Sequence, residues 1–114
     1  MTEVERQFAL TAAWLLLRHG CASRSRAVVE ALVEDDPRDG ISAAAFSEML
    51  LAEGRAEDAL HVLRSADFPR RMARVEALLE TRALAMAGRT AESERRWRRY
   101  VESLKGGRRI WISQ

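Results

Sequence analysis

The apolar residues of this chain recur at spacings of three and four, which is the periodicity of an amphipathic α-helix. Phe8, Ala12 and Leu15 follow this spacing near the amino end, and Val75 and Leu79 follow it further along the chain. The most frequent residues are alanine, leucine, arginine and glutamate, which are all strong helix formers. The pattern therefore predicts an all-α protein.

Glycines divide the helical segments at a constant interval, since Gly20, Gly54 and Gly88 are equally spaced. Each glycine follows an apolar run and precedes a small residue by five positions and a bulky apolar residue by nine. The small residues are Ser25, Ala59 and Ser93, and the bulky ones are Val29, Leu63 and Trp97. This order fits a helix, a turn in which glycine takes a positive φ, and a second helix that crosses the first closely around a packed core.

The interval between the glycines equals the period of the tetratricopeptide repeat, which is about 34 residues. The sequence therefore predicts three tetratricopeptide-like helical hairpins, which form a short right-handed superhelical array with a concave groove. We expect the hairpins at about residues 5–37, 40–69 and 70–104, within one domain at 1–105, and a C-terminal tail at 106–114.

Local signals predict where the helices begin. Thr2 and Glu5 have the spacing of a capping box, and we expect Ser23, Ser42 and Thr90 to cap three later helices. The fourth helix is expected over 56–65. The second helix is expected to bury Ala27, Val28, Ala31 and Leu32.

The charge is unevenly distributed along the 114 residues. Residues 1–88 carry 11 basic and 14 acidic side chains, whereas residues 89–114 carry 8 basic and 3 acidic ones. Arginines interleaved with Trp97 and Trp111 could contact nucleic acid. We instead expect a solvated outer face on the last helix, because Trp97 falls on the stripe predicted to be buried and glutamates dilute the positive field.

The sequence predicts a cytoplasmic protein without a membrane span. No apolar stretch approaches the ~20 residues needed to cross a bilayer. Glu3 and Glu5 stand where a signal peptide would carry positive charge. Cys21 is the only cysteine, which excludes an internal disulfide and fits a reducing compartment.

No motif in the chain indicates catalysis, so we expect neither an enzyme nor a cofactor. The sequence has no glycine-rich phosphate loop, nucleophile motif or paired CxxC. His19 and Cys21 supply only two potential ligands, which is too few for a zinc site. The acidic run at 34–39 lacks the glycine and terminal glutamate of a calcium-binding EF-hand loop.

The first helix of each hairpin is expected to line the concave groove. Counting from the turn glycines, the groove residues are Leu10, Trp14, Leu17, Ala44, Glu48, Leu51, Leu78, Arg82 and Ala85. This largely apolar lining suits the apolar face of a partner helix, with Glu48 and Arg82 fixing its orientation. Leu10 and Leu78 could instead belong to the core between helices, whereas Trp14, near the middle of its helix, is the strongest candidate for partner contact.

Two parts of the sequence resemble small chaperones of bacterial type III secretion, of the YscY (SctY) type. The matching residues are Phe8-Ala9-Leu10, Ala13-Trp14-Leu15, Gly20, Ala31-Leu32 and Pro37 at the opening, and Ala91, Arg96-Trp97 and Tyr100-Val101-Glu102 at the close. The resemblance implies a cytoplasmic chaperone that binds a small secreted protein of the YscX (SctX) type, through an amphipathic helix, and keeps it soluble and export-competent. We also expect the free chaperone to be able to form a homodimer that covers its apolar surface.

Two other functions stay open. The needle-subunit chaperones of the YscG type have similar size and repeats, and a generic repeat scaffold has the same fold.

The chain departs from the YscY-type pattern in two places. Pro69 follows Gly54 two positions sooner than Pro37 follows Gly20, and the Ile110-Trp111-Ile112 segment has no counterpart. That segment is expected either to fold back over a repeat edge or to be disordered.

Overall fold

The helical periodicity of the sequence is realised in six α-helices. The computed structural model describes the backbone of residues 1–112 and the side chains of residues 1–106, and within these residues there is no β-strand. The helices are α1 (Glu3–Arg18), α2 (Ala22–Asp35), α3 (Gly40–Ala52), α4 (Ala56–Ser65), α5 (Ala73–Met86) and α6 (Thr90–Ile112), with a 3₁₀ turn at Arg70–Met72 before α5. The prediction of an all-α protein is confirmed. None of these helices is both long and apolar enough to span a membrane.

The three turn glycines adopt the same backbone conformation. Gly20, Gly54 and Gly88 have φ values of 79°, 77° and 78°, in the left-handed region where a Cβ is strained. In each turn the residue after the glycine donates its N–H to the carbonyl five residues earlier, which satisfies the end of the preceding helix. These bonds run from Cys21 to Leu16 (2.8 Å), from Arg55 to Leu50 (2.9 Å) and from Arg89 to Leu84 (2.8 Å).

Small side chains stand where the two helices of each pair cross. Ser25 donates its hydroxyl to the carbonyl of Ala13 at 2.7 Å, and Ser93 donates to Thr81 at 2.9 Å. Both serines are buried, as is Ala59 at the equivalent position of the middle pair. The tight crossings join α1 to α2, α3 to α4 and α5 to α6.

The bulky residue nine positions after each glycine is buried in only two of the three pairs. Val29 and Leu63 are each 1% exposed and belong to the hydrophobic core of the described residues. Trp97 was expected on a buried stripe but is 37% exposed. The reason is position: α3 packs over α2 and α5 over α4, whereas no described helix packs over α6 in the same way.

The helix starts match the sequence prediction at α1 and differ elsewhere. Thr2 and Glu5 form the expected capping box. The expectation that Ser42 caps α3 is wrong, because α3 begins at Gly40 and the Asp39 carboxylate accepts the Ser42 N–H at 3.0 Å. Ser23 lies inside α2, since the chain enters that helix directly from the glycine turn.

The buried face of α2 is also narrower than predicted. Ala27 and Ala31 are exposed, whereas Leu32 is 1% exposed and lies in the core. Val28 is half-buried against the core. The face that packs against α1 and α3 is centred on Ser25, Val29 and Leu32, so the two alanines point away from it.

The last helix begins one residue early and extends beyond its predicted end. Thr90 lies within α6, whose first turn is closed by the Ser93 N–H donating to the Arg89 carbonyl at 3.0 Å. The helix continues through Gly106 to Ile112, where the sequence predicted a separate tail. The expected packing of the Ile110-Trp111-Ile112 side chains lies outside the described residues.

The Arg6 side chain is the most connected polar group of the core. It is 6% exposed, although it carries a full positive charge. One nitrogen of its guanidinium donates to Asp35 Oδ2 at 3.0 Å, and the other donates to Asp39 Oδ2 at 3.2 Å, Ser42 Oγ at 2.9 Å and the Leu32 carbonyl at 3.1 Å. This network joins α1 to the end of α2 and the start of α3.

We predict that Arg6→Met lowers the free energy of unfolding by about 2–3 kcal/mol, because Asp35 and Asp39 lose the cation that pairs with them and the Leu32 carbonyl loses one of its hydrogen bonds. Urea unfolding followed by circular dichroism measures the change. Arg24→Met is the matched control, since Arg24 is exposed on α2 and should lose less than about 0.5 kcal/mol. Equal losses in the two variants would contradict a structural role for the network.

The Asp39 carboxylate should make stability depend on pH in the acid range. Burial raises its pKa, but hydrogen bonds from Ser42 and Arg6 outweigh this effect, and the net pKa lies below the ordinary value. A lowered folded-state pKa stabilises the protein above about pH 4, and this stabilisation is lost as the pH falls through the folded-state pKa. We expect Asp39→Asn to be less stable than the wild type at pH 7 and to lose less stability between pH 4 and pH 2. Parallel curves for the two proteins would refute this assignment.

Candidate partner-binding cleft

An apolar cleft opens between α1 and α3. Both α1 and α3 pack against α2, which forms the floor of the cleft. The sides of α1 and α3 that face each other are separated by the cleft. The cleft has a volume of about 320 Å³. Its lining residues are Leu10, Ala13, Trp14, Leu17, Ser25, Val29, Ala45, Glu48 and Met49.

The α1 wall of the cleft carries large apolar side chains that are open to solvent. Trp14 is 54% exposed and Leu17 is 50% exposed, although large apolar side chains are usually buried. The Arg18 guanidinium lies 5.0 Å from the Trp14 ring centroid, at a distance typical of a cation–π contact. Full burial of a large apolar side chain is worth about 1.5–3 kcal/mol relative to full exposure, so an apolar partner that covers these half-exposed side chains gains roughly half of that for each.

A second cavity extends the cleft along α2 toward the carboxyl end of α3. Its volume is about 280 Å³, and it shares Leu17 and Met49 with the first cavity. Arg26 closes its far side by donating to Glu53 at 2.7 Å and to Glu30 at 2.6 Å. The two cavities together form a continuous apolar surface that ends in an ion-paired rim.

Glu48 and Arg82, which were expected to orient a partner, bind each other. Arg82 donates to Glu48 Oε1 at 2.9 Å, across the contact between α3 and α5. Both side chains are about half exposed. A pair so accessible to water is worth no more than about 1 kcal/mol, so a charged partner could exchange with either residue at little cost.

The structure brings together four of the nine predicted groove residues: Leu10, Trp14, Leu17 and Glu48. Arg82 joins them only through its ion pair with Glu48. Ala44 is half-buried against the core, while Leu78 and Ala85 are exposed on α5 and do not line the cleft.

The assignment of Leu51 to the groove is wrong. Leu51 is 2% exposed and belongs to the core. Leu17 lies at the equivalent position, three before its turn glycine, and is nevertheless half exposed. The reason is that α3 packs directly against α5, whereas the space between α1 and α3 is the open cleft. A fixed repeat offset cannot distinguish these two environments.

Ala45 and Met49 line the cleft but were missed by the sequence argument. They share a helical face with Glu48, since positions 45, 48 and 49 are spaced by three and four. The correct face could have been found by centring the groove on Glu48, the one charged side chain in the middle of α3. The other residues of α3 are so uniformly apolar that they do not mark an outer side.

Comparisons of this chain with protein-family models, with curated proteins and with solved structures find no match. Among the described residues, no group of three or more histidine, cysteine or acidic side chains is placed to hold a metal ion. A concave apolar surface with a polar rim is suited to an apolar helix face or a peptide.

We predict opposite outcomes for two substitutions in the predicted groove set. Leu51→Arg should abolish folding, because the core has no partner for a buried charge. Trp14→Arg should keep native helicity and cost about 1–2 kcal/mol, because the ring is already half solvated. Circular dichroism and urea unfolding of both variants check this contrast. A folded Leu51→Arg protein would place that residue at the surface after all.

Proposed function

We propose that this chain is a cytoplasmic chaperone of bacterial type III secretion. It binds a small secreted export-apparatus protein of the YscX (SctX) type in the α1–α3 cleft and keeps it soluble and export-competent. The observation that carries the proposal is the open apolar wall of α1, where Trp14 and Leu17 are half exposed above a floor formed by α2.

The repeated geometry of the three helix pairs supports a tetratricopeptide array. The turns at Gly20, Gly54 and Gly88 share one conformation at equal intervals along the chain. The serine-to-carbonyl bonds of Ser25 and Ser93 recur at twice that interval. In an array of this kind the first helices of the pairs face a common groove, which is the side on which α1 and α3 form the cleft.

The energetics of the cleft match the needs of a secretion client. A protein that waits for export exposes an apolar helix, and this surface would aggregate in the cytoplasm. A cleft whose walls are fixed by helix packing covers that surface without paying to order its own residues. The chaperone therefore gains from burial at Trp14 and Leu17 without a large conformational change.

A needle-subunit chaperone of the YscG type is the second candidate, because the amphipathic carboxy-terminal helix of a needle protein would use the same apolar cleft. A generic repeat scaffold would also use it. Nucleic-acid binding is less favoured. Arg96 is held by Glu80 at 2.7 Å with both side chains 12% exposed, and Arg89 is held by Glu92 at 2.8 Å. These pairs neutralise part of the basic end.

The test is co-expression of this chain with each small secretion protein encoded beside its gene, followed by size exclusion with light scattering. We expect a stoichiometric complex with one otherwise insoluble partner. Trp14→Arg should prevent the complex, because it puts a charge on the apolar wall. Phe8→Arg is the matched control, since Phe8 is 76% exposed on the other side of α1 and does not line the cleft.

Each outcome decides one part of the proposal. Loss of the complex with Trp14→Arg but not with Phe8→Arg supports both the chaperone function and the cleft. A complex that survives Trp14→Arg would move the binding site away from the cleft. Failure to bind any of these proteins would overturn the chaperone function, and elution with nucleic acid at low salt would favour the basic last helix.

A further inference from the structure

A second apolar surface lies at the opposite end of the molecule, on α5 and α6. A cavity of about 590 Å³ lies over Thr81, Trp97 and Val101. Trp97 and Val29 each lie nine positions after a turn glycine, and Thr81 and Ala13 each lie seven positions before one. In the first helix pair, α3 packs over α2 and leaves Val29 1% exposed. No described helix covers Trp97 in this way, so the surface around Trp97 is the place where a further helix would pack.

The Thr81 hydroxyl lies beneath this surface. Among the described residues, its Oγ1 is a buried side-chain oxygen without a hydrogen-bond partner. Buried polar atoms are nearly always paired, because an unpaired one costs about 1–3 kcal/mol. The 37% exposure of Trp97 above this atom makes the α5–α6 surface a candidate interface.

The charged residues beside the cavity alternate in sign along α6. Glu94, Arg98, Glu102 and Lys105 all line it, spaced by four, four and three residues. Within the described part of the chain, Glu102 and Lys105 approach each other at 3.6 Å, and neither Glu94 nor Arg98 forms an ion pair. Read in the reverse direction, the row has the opposite sign at every position.

We propose that the occupant of this surface is a second copy of the chain, whose α6 packs antiparallel to the first about a two-fold axis that crosses the helix at the level of residue 100. Such a contact is isologous, so each charge meets the residue at the mirrored position of the row. Glu94 then faces Lys105 of the second copy, and Arg98 faces Glu102 of the second copy. A single two-fold axis requires both pairs to have the same midpoint along the helix. The Glu94–Lys105 pair is centred at residue 99.5 and the Arg98–Glu102 pair at residue 100, which differ by less than ~1 Å because the helix rises 1.5 Å per residue.

The apolar residues fit nearly the same axis, because the midpoint of Trp97 and Val101 lies within about 1.5 Å of the charge-pair midpoints along the helix. The midpoint of Trp97 and Val101 is residue 99, so the indole of one copy lies beside Val101 of the other. Trp97 would then be covered as Val29 and Leu63 are covered within the chain. The charge row flanks this contact and selects the antiparallel orientation, because a parallel pair would place like charges together.

The dimer does not depend on the proposed chaperone function, since its surface contains none of the cleft residues. It is tested with the purified chain alone. Sedimentation velocity between 1 and about 100 µM should show a species of twice the 12.9 kDa chain mass. Trp97→Ala should shift the equilibrium to the monomer.

Two charge reversals give the decisive experiment. Arg98→Glu and Glu102→Arg each place like charges at both symmetric contacts of their own homodimer, so each alone should raise the dimer dissociation constant at least about tenfold. Mixed together they restore opposite charges at both contacts, and the equimolar mixture should dimerise as the wild type does. An effect confined to one helix could not be rescued by mixing.

Arg99→Glu is the matched control, because Arg99 lies on α6 away from this cavity and should leave the dimer intact. Three results would each overturn the proposal. These are a wild-type protein that stays monomeric at about 100 µM, single reversals that dimerise normally, and a mixture that stays monomeric. Circular dichroism establishes that all variants keep their helices, so a folding defect cannot produce the result.

Discussion

The arrangement of the first three helices depends on one buried guanidinium. Arg6 brings a positive charge from α1 into the space where α2 ends and α3 begins, and it meets Asp35, Asp39, Ser42 and the Leu32 carbonyl there. A buried charge without such partners would cost several kcal/mol, so only packings that close this network are available to α1. At its other end α1 is held by the turn at Gly20. The α1 segment between these two anchors forms the apolar wall of the cleft.

Whether equivalent residues are buried depends on whether their helix belongs to the middle pair or to an outer pair. The middle pair is covered on both sides, so α3 can be apolar around most of its circumference and still bury Leu51. The outer helices lack one neighbour each. Trp14 and Phe8 on α1 and Trp97 on α6 are accordingly exposed, although their residue types are typical of a core. Large exposed apolar patches commonly mark sites of partner contact.

The two open surfaces differ in chemistry and suit different partners. The cleft beside α1 is almost entirely apolar, and the ion pairs at its rim are already closed between residues of the chain. An apolar surface of this kind can accept apolar helices of varied sequence. The surface on α6 carries an ordered row of charges beside Trp97, and such a row discriminates between partners because mismatched pairs are penalised. Since the surfaces share no lining residue, occupation of one need not block the other.

Features that depend on a few neighbouring residues were determined by the sequence alone. The positive φ at the three glycines, the capping box of Thr2 and Glu5, and the span of α4 all follow from local backbone chemistry. The groove was only partly predictable, since the repeat offset found the α1 wall and Glu48 but assigned Leu51 to the surface. The Arg6 network, the burial of Leu51 and the exposure of Trp97 were decided by the tertiary structure. Each depends on which distant helix lies alongside, and a local pattern of apolar residues carries no information about that neighbour.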